Sequence, residues 1–461
     1  MEAGTVLAQV GLKRTLGFWQ AWAMSLGLVA CSTTLMMISL GFGDLGAGFT
    51  YTHLIALCYI LLVCLALSEL ATAYPKSSSF VFYTSMALGR VAGLSIGLWY
   101  GFKDIFGFSA ESAIVGIIME KIIPQVPWWG WAMLLLTLFT IVNMLGITVT
   151  GRVQLVLVSI MAGSYLALAL LGFIVKRPCL ECLTRTLLDP PASSIYHGVP
   201  AGLPSILALT LMGVWLFVGV EVLAPLAEEV KNPSRTLPLA MVTSMVILFA
   251  LKQFLGLSWV ASVPREILLS EPYHVGAVGY LLGPAGEVWM AIISLVATGS
   301  TVNAVLTGAT RVLYGMAVDG YLPSFFSWLH PKFRAPWGSL CLLYALMLLV
   351  LGVSASSLGT KTPSFLALIC SFVFMLTYLT IFIDVIVLRV KKPDGARPSK
   401  VEGPLKLPIP AFLGLIATFV ILIFSVAPPF GDVNILIYGG TYCLALLLVS
   451  MVIYTKRLSR R

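Results

Sequence analysis

The chain has 461 residues, of which 59% are hydrophobic and only 10% charged, with a mean hydropathy of +0.99. That balance excludes a soluble globular protein of this length and indicates a polytopic helical membrane protein. The net charge of +9 does not point to nucleic acid, because the Lys and Arg surplus falls in alternate predicted loops, the positive-inside pattern of membrane proteins.

Apolar stretches predict twelve transmembrane helices, at roughly 18–42, 49–71, 92–122, 127–149, 153–175, 203–228, 238–262, 286–317, 338–353, 363–389, 409–427 and 434–455. The N-terminus is short and polar, the first apolar stretch is too long for a signal peptide, and no appended soluble domain is expected. Span one carries a polar interruption, Ala30, Cys31, Ser32, Thr33 and Thr34, in otherwise apolar sequence. The loops after the even spans hold Lys76, Arg90, Arg152, Lys231, Arg235, Lys332, Arg334, Arg389, Lys391, Lys392, Arg397, Lys400 and Lys406. Lys13 and Arg14 precede span one, and Lys456, Arg457, Arg460 and Arg461 follow span twelve. The opposite loops are poorer, with Lys121, Lys176, Arg177, Arg185, Arg265 and Lys361. Both termini are therefore expected on the cytoplasmic side of the cell membrane.

Span three holds Lys103, Asp104 and Glu111. Neighbours in sequence point about 100° apart on a helix, so Lys103 and Asp104 need not pair. Asp104 and Glu111, seven apart, lie near one face. Either could meet a substrate amine or carry a proton, and an internal ion pair, for instance with Lys252 of span seven, is an equal alternative.

The stretch 215–238, WLFVGVEVLAPLAEEVKNPSRTLP, is the most informative. A carboxylate at membrane depth costs roughly 3 kcal/mol on insertion scales, so Glu221 is a functional-site candidate, the alternative being a kinked packing helix whose Glu is neutral or paired. Gly219 lets the backbone leave the helix. Spans one and six, five apart, thus carry matching interruptions, the pattern of an inverted-repeat transporter with its site at the midplane. Trp215 can meet a cationic amine through its ring face or can simply pack.

Ser300, Thr301 and Asn303 of span eight could line a site, but small polar residues also join helices, which is the reading favoured here. Asp384 and Arg389 of span ten read as interfacial charges. Of eight cysteines, Cys31, Cys58, Cys64, Cys341, Cys370 and Cys443 lie in spans and read as small buried hydrophobes. Cys179 and Cys182 form a CxxC in a predicted outer loop, without the flanking features of a redox or metal motif. His53, His197, His274 and His330 lie near predicted loops and far apart. No nucleotide, metal or hydrolase motif is present, so neither an enzyme nor a cofactor is expected.

Three motifs carry a resemblance to the amino acid–polyamine–organocation (APC) superfamily of transporters. SELATAYPKS at 68–77 is similar to a signature after the family's second span. Trp215-x-Phe217-x-Gly219-x-Glu221 followed by AEEVKNP at 227–233 is similar to its span-six pattern. Asn303 to Arg311, YGMAVDGYLP at 314–323 and His330-Pro331-Lys332 are similar to its span-eight signature. The resemblance implies a five-plus-five inverted repeat (a LeuT-like fold) with helices 1 and 6 broken. The first repeat is then 18–175, the second 203–389, and 409–455 two accessory helices. It implies substrate held between spans one and six, with Glu221 at the family's span-six glutamate and Trp215 where some exchangers cap the substrate.

The implied binding set is Ala30, Cys31, Ser32, Thr33, Thr34, Asp104, Glu111, Trp215, Phe217, Val218, Gly219, Val220, Glu221 and Asn303. Two departures stand out. The family's glycine-rich break in span one, which grips a substrate carboxylate, is here Cys31-Ser32-Thr33 with no glycine, a divergence shared with ethanolamine-like amine permeases. The span-five lysine of proton-coupled members falls at Met161, although Gln154 is present. The expected function is secondary transport of a small amino-group substrate, an amino acid or an amine, across the lipid bilayer by alternating access. A proton or counter-substrate is a possible second partner, and an amine permease or exchanger, or a transport-incompetent sensor on the same fold, is the alternative.

Overall fold

The computed structural model describes residues 12–195, 199–357, 362–426 and 433–458. Of the residues named above, His197, Lys361, Arg460 and Arg461 lie outside them. The described chain is helical, with two isolated β-bridges, Leu16 to Val230 and Leu329 to Pro336.

Helices α1 (Phe18–Leu28) and α2 (Ser32–Leu45) are separated at 29–31, and a short 3-10 turn leads into α3 (Phe49–Ala73). After α4 (Ser79–Leu88) come three long helices, α5 (Arg90–Ile122), α6 (Trp128–Met144) and α7 (Ile147–Val175). The short α8 (Leu180–Leu188) and the pair α9 (Leu203–Ala208) and α10 (Thr210–Trp215) precede α11 (Pro233–Ser262). Then follow α12 (Arg265–Leu269), α13 (His274–Leu282), α14 (Pro284–Val318), α15 (Trp337–Ser357), α16 (Thr362–Lys391), α17 (Ile409–Val426) and α18 (Val433–Leu458).

Six described stretches are long and apolar enough to cross a membrane: 32–73, 147–175, 233–262, 284–318, 372–391 and 433–455. Five shorter apolar stretches accompany them, at 79–88, 128–144, 210–223, 337–353 and 409–424. Helix α5, at 33 residues, is about 50 Å long but carries the charges of span three. Leu413, Ile416, Phe419 and Ile423 of α17 and Leu444, Leu448 and Val452 of α18 are exposed. Such faces suit hydrocarbon and would be a liability in water.

Some helix limits differ from the sequence reading. α7 begins at Ile147 rather than 153, because Gly146 at φ 90° turns the chain directly out of α6. α11 begins at Pro233 rather than 238, with Pro233 in its first turn, where proline is tolerated, and Pro238 just inside. The largest difference is in 203–228, which is helical only to Trp215 and continues as turns with one 3-10 segment, Val220–Leu223. Irregular backbone at membrane depth survives only where protein covers it. Every residue from 216 to 227 is buried.

α14 is the central helix, buried at every residue from 297 to 317. α1 packs against α7, α11 and α14, and the 3-10 segment of 220–223 packs against α1 and α11. The interruption after α1 is thereby brought against the interruption after α10.

Candidate functional site

The chain break between α1 and α2 frees a run of carbonyls, and the neighbouring helices meet them one by one. Thr301 Oγ1 of α14 donates to Gly27 O and Leu28 O, at 3.1 and 2.9 Å. Thr34 Oγ1 donates to Cys31 O at 2.8 Å and to Val29 O at 3.2 Å. Tyr165 of α7 donates to Ala30 O at 3.1 Å. On the amide side, Ser32 N donates to Thr298 Oγ1 and Thr33 N to Glu111 Oε2, at 3.2 and 3.4 Å. The Thr33 hydroxyl also bonds Glu111 Oε1, and Cys31 Sγ lies 3.1 Å from that hydroxyl. Glu111 of α5 therefore lies at the N-terminus of α2, where backbone amides and the helix dipole favour a negative charge. No glycine is required at 31–33 because hydroxyls and a carboxylate satisfy the freed groups.

The second break is set by Gly219, at φ 135° and ψ −8°. Its backbone touches the first break: a Cβ there would lie 2.0 Å from Leu28 Cδ2. Gly219 N donates to the Tyr378 hydroxyl at 3.3 Å, and that hydroxyl donates to Glu221 Oε2 at 2.9 Å. Glu221 is fully buried, and its Oε1 has no hydrogen-bond partner among the described residues. A buried acceptor left open costs about 1–3 kcal/mol, more when charged, so the arrangement calls for a donor at Oε1.

Lys252 of α11 ties the two breaks together. Its Nζ donates to Val29 O at 2.9 Å and to Leu216 O at 2.7 Å, the residues that follow α1 and α10. The sequence reading offered Lys252 as an alternative ion-pair partner for Asp104 or Glu111. For Asp104 that pairing is replaced by one between neighbours, since Lys103 Nζ bonds Asp104 Oδ1. The 100° offset of adjacent Cα positions does not prevent this, because a four-carbon stem can carry an ammonium around the helix. Lys103 also lies over the rings of Tyr100 and Phe374, 4.2 and 4.1 Å from their centroids. Asp104 Oδ2, like Glu221 Oε1, has no partner among the described residues.

Trp215 closes this aromatic run, 6.2 Å from Phe374 edge-on, with its Nε1 donating to Thr33 Oγ1 at 3.3 Å. The indole therefore joins the two breaks as well as packing. Phe217 faces elsewhere, stacked on the buried His53 at 5.0 Å. Val218 and Val220 are buried beside Gly219. Asn303 belongs to a polar network: it donates to Gln154 Oε1 at 2.7 Å and accepts from Asn143 at 3.0 Å. That network joins α6, α7 and α14. Ser300, bonded to Gln154 and Gly27 O, extends it toward the first break.

Several sequence-based assignments change. Asp384 and Arg389 are not interfacial charges: Asp384 is buried against Thr84, and Arg389 makes a two-pronged bond to Glu69 at 2.9 and 2.5 Å. Arg397 Nε adds a further contact to Glu69 at 3.3 Å. His53 and His274 lie near the starts of α3 and α13, as expected, and are buried there, bonded to Gln253 and Ser294. Cys58 and Cys341 are exposed on apolar helices instead of buried. Cys179 and Cys182 form a disulfide at the start of α8, with Cys179 capping that helix. The sequence reading named Lys252 without placing it at the two breaks, and it missed Tyr378. A lone lysine in an apolar span was a usable signal, whereas a tyrosine in span ten carried none.

The chain matches the amino acid permease family over residues 16–451. It is 23% identical over 441 residues to the branched-chain amino acid permease BcaP of Bacillus subtilis, covering 88% of this chain and 87% of that protein. It is 25% identical over 360 residues to the low-affinity putrescine importer PlaP of Escherichia coli K12, covering 75% and 76%. It is 26% identical over 356 residues to the amino-acid permease RocC of Bacillus subtilis, covering 72% of each. With its apolar helices, this places the chain among multi-pass membrane transporters and not among enzymes. The chain belongs to the amino acid permease family of the amino acid–polyamine–organocation superfamily.

Proposed function

We propose that this permease moves a small amine, or the amino end of an amino acid, between the two chain breaks by alternating access. In this reading twelve spans form a five-plus-five inverted repeat plus two accessory helices, with both termini cytoplasmic. The substrate ammonium meets Glu221, Trp215 covers it, and Ala30 to Thr34 with 217–220 form the walls. A proton or a counter-substrate balances the charge moved.

The open Oε1 of buried Glu221 carries this proposal. Local charge supports it. Glu221, Asp104 and Glu111 are three carboxylates against the two ammonium groups of Lys103 and Lys252, which leaves one formal negative charge. One cation or one proton neutralises it, as a low-dielectric site favours. Glu111 supports the amine class in particular. A carboxylate of the protein already holds the N-terminus of α2, so a second one from the substrate would be repelled there. The amine-directed relative PlaP agrees with this emphasis.

The test is a competition series against uptake into proteoliposomes, using an amino acid, its decarboxylated amine and the matching acid without the amine. The amine competes and the amine-free acid does not. Strong competition by the amino acid with none from the amine would show that a carboxylate grip persists and would overturn the assignment.

A further inference from the structure

Lys252 does something no other charged group around the breaks does: its two described hydrogen bonds are both to backbone carbonyls, one from each unwound segment. It is fully buried, on an uninterrupted stretch of α11. Val29 O and Leu216 O are free to accept because α1 and α10 end just before them. At 2.9 and 2.7 Å these are strong ammonium contacts. The titratable groups whose charge reaches Lys252 are Glu111 of α5, Cys31 at the start of α2 and His53 of α3. Unwound backbone carbonyls facing one another across two broken helices are what transporters of this architecture use to hold a mobile cation.

We propose that the Lys252 ammonium is a tethered cation that fills such a seat, so that the two unwound segments are held together without a free inorganic ion. The inference rests on the transport reading above. Lys252 is a positioning residue in it: it fixes Leu216 and Val29, and through them the backbone that places Glu221 and Thr33. Two consequences follow. Uptake by the parent protein does not depend on sodium, and shortening Lys252 creates a site that small cations can fill from solution.

The experiment compares the parent, Lys252→Met and Lys252→Ala in proteoliposomes containing equal folded protein, with sodium exchanged for potassium and with methylammonium added. Parent uptake stays within about twofold on the exchange, and methylammonium leaves it unchanged or lowers it by competition. Lys252→Met loses at least about tenfold, the worth of one charge-assisted hydrogen bond. Lys252→Ala loses as much and recovers in part with methylammonium or sodium, the opposite sign to the parent. The melting temperature of purified Lys252→Ala rises with methylammonium while that of the parent does not, a readout that needs no transport. Sodium-dependent uptake by the parent overturns the proposal. So does full activity of Lys252→Met, or a folded Lys252→Ala that neither cation restores or stabilises. Absence of any parent uptake of amines would instead sink the transport reading and leave the melting comparison to decide the role of Lys252.

Discussion

Gly219→Ala tests the contact between the two breaks. An L-residue with φ 135° is strained by about 1–2 kcal/mol, the cost of left-handed backbone. The new methyl would also lie 2.0 Å from Leu28 Cδ2, 3.0 Å from Cγ and 3.3 Å from Cβ. Ordinary carbon contacts are about 3.5–4.0 Å, so the segments must part by roughly 1.5 Å or Leu28 must leave its rotamer. Overfilling a packed site costs about 1–3 kcal/mol, which brings the total to roughly 2–5 kcal/mol. Parting the segments also disturbs the bond from Thr301 to Leu28 O and the bridge made by Lys252. Purified Gly219→Ala should melt at least about 2 °C below the parent and transport poorly. Leu28→Ala makes room for the methyl, so the double variant should be less destabilised than the sum of the singles by about 1–3 kcal/mol. Parent-like melting and uptake in Gly219→Ala, or strict additivity in the double variant, would refute the reasoning.

Tyr378→Phe removes the hydroxyl shared by Gly219 N and Glu221; it should raise KM about tenfold, since a bond to a charged group is worth about 1.5–3 kcal/mol, and uptake kinetics check it. Arg389→Ala leaves buried Glu69 with only the 3.3 Å contact from Arg397 and should cost about 3–5 kcal/mol, read as a lower melting temperature. Arg389→Lys should recover only part of it, because an ammonium cannot replace the two-pronged grip. Cys179→Ser with Cys182→Ser should leave uptake within about twofold, because α8 is also tied down by Cys179 N on Ala261 O and by Thr186 on Ala47 N, contacts that outlast the disulfide and are typical of a loop held by several small bonds.

What the sequence revealed was what residue type alone carries. Gly219 and Glu221 are out of place in an apolar span, and so is the hydroxyl-rich stretch 30–34, so both breaks were legible. Partners were another matter. The Lys103 pairing was left open because an angular rule for Cα positions ignores the reach of a long side chain. Lys252 and Tyr378 join the region through contacts 36 to 223 residues distant in sequence, which no periodicity encodes. Arg389 looked interfacial because it sits near the end of an apolar helix; its burial depends on Glu69 of α3 and on the loop bearing Arg397. The loss of α-helix after Trp215 was only half visible. Gly219 marked where the backbone turns, but the irregular run to 229 depends on the surrounding helices that cover it.

The central claim is that buried Glu221 receives the ammonium of the substrate. Glu221→Gln keeps the size and the bond from Tyr378 but removes the charge. Uptake of radiolabelled amine into proteoliposomes, measured against pH for parent and variant at equal folded protein, tests it most directly. The account predicts a fall of about 10–100-fold, the worth of one buried charge-assisted bond, with an altered pH profile. Near-normal uptake with the pH dependence of the parent would contradict it.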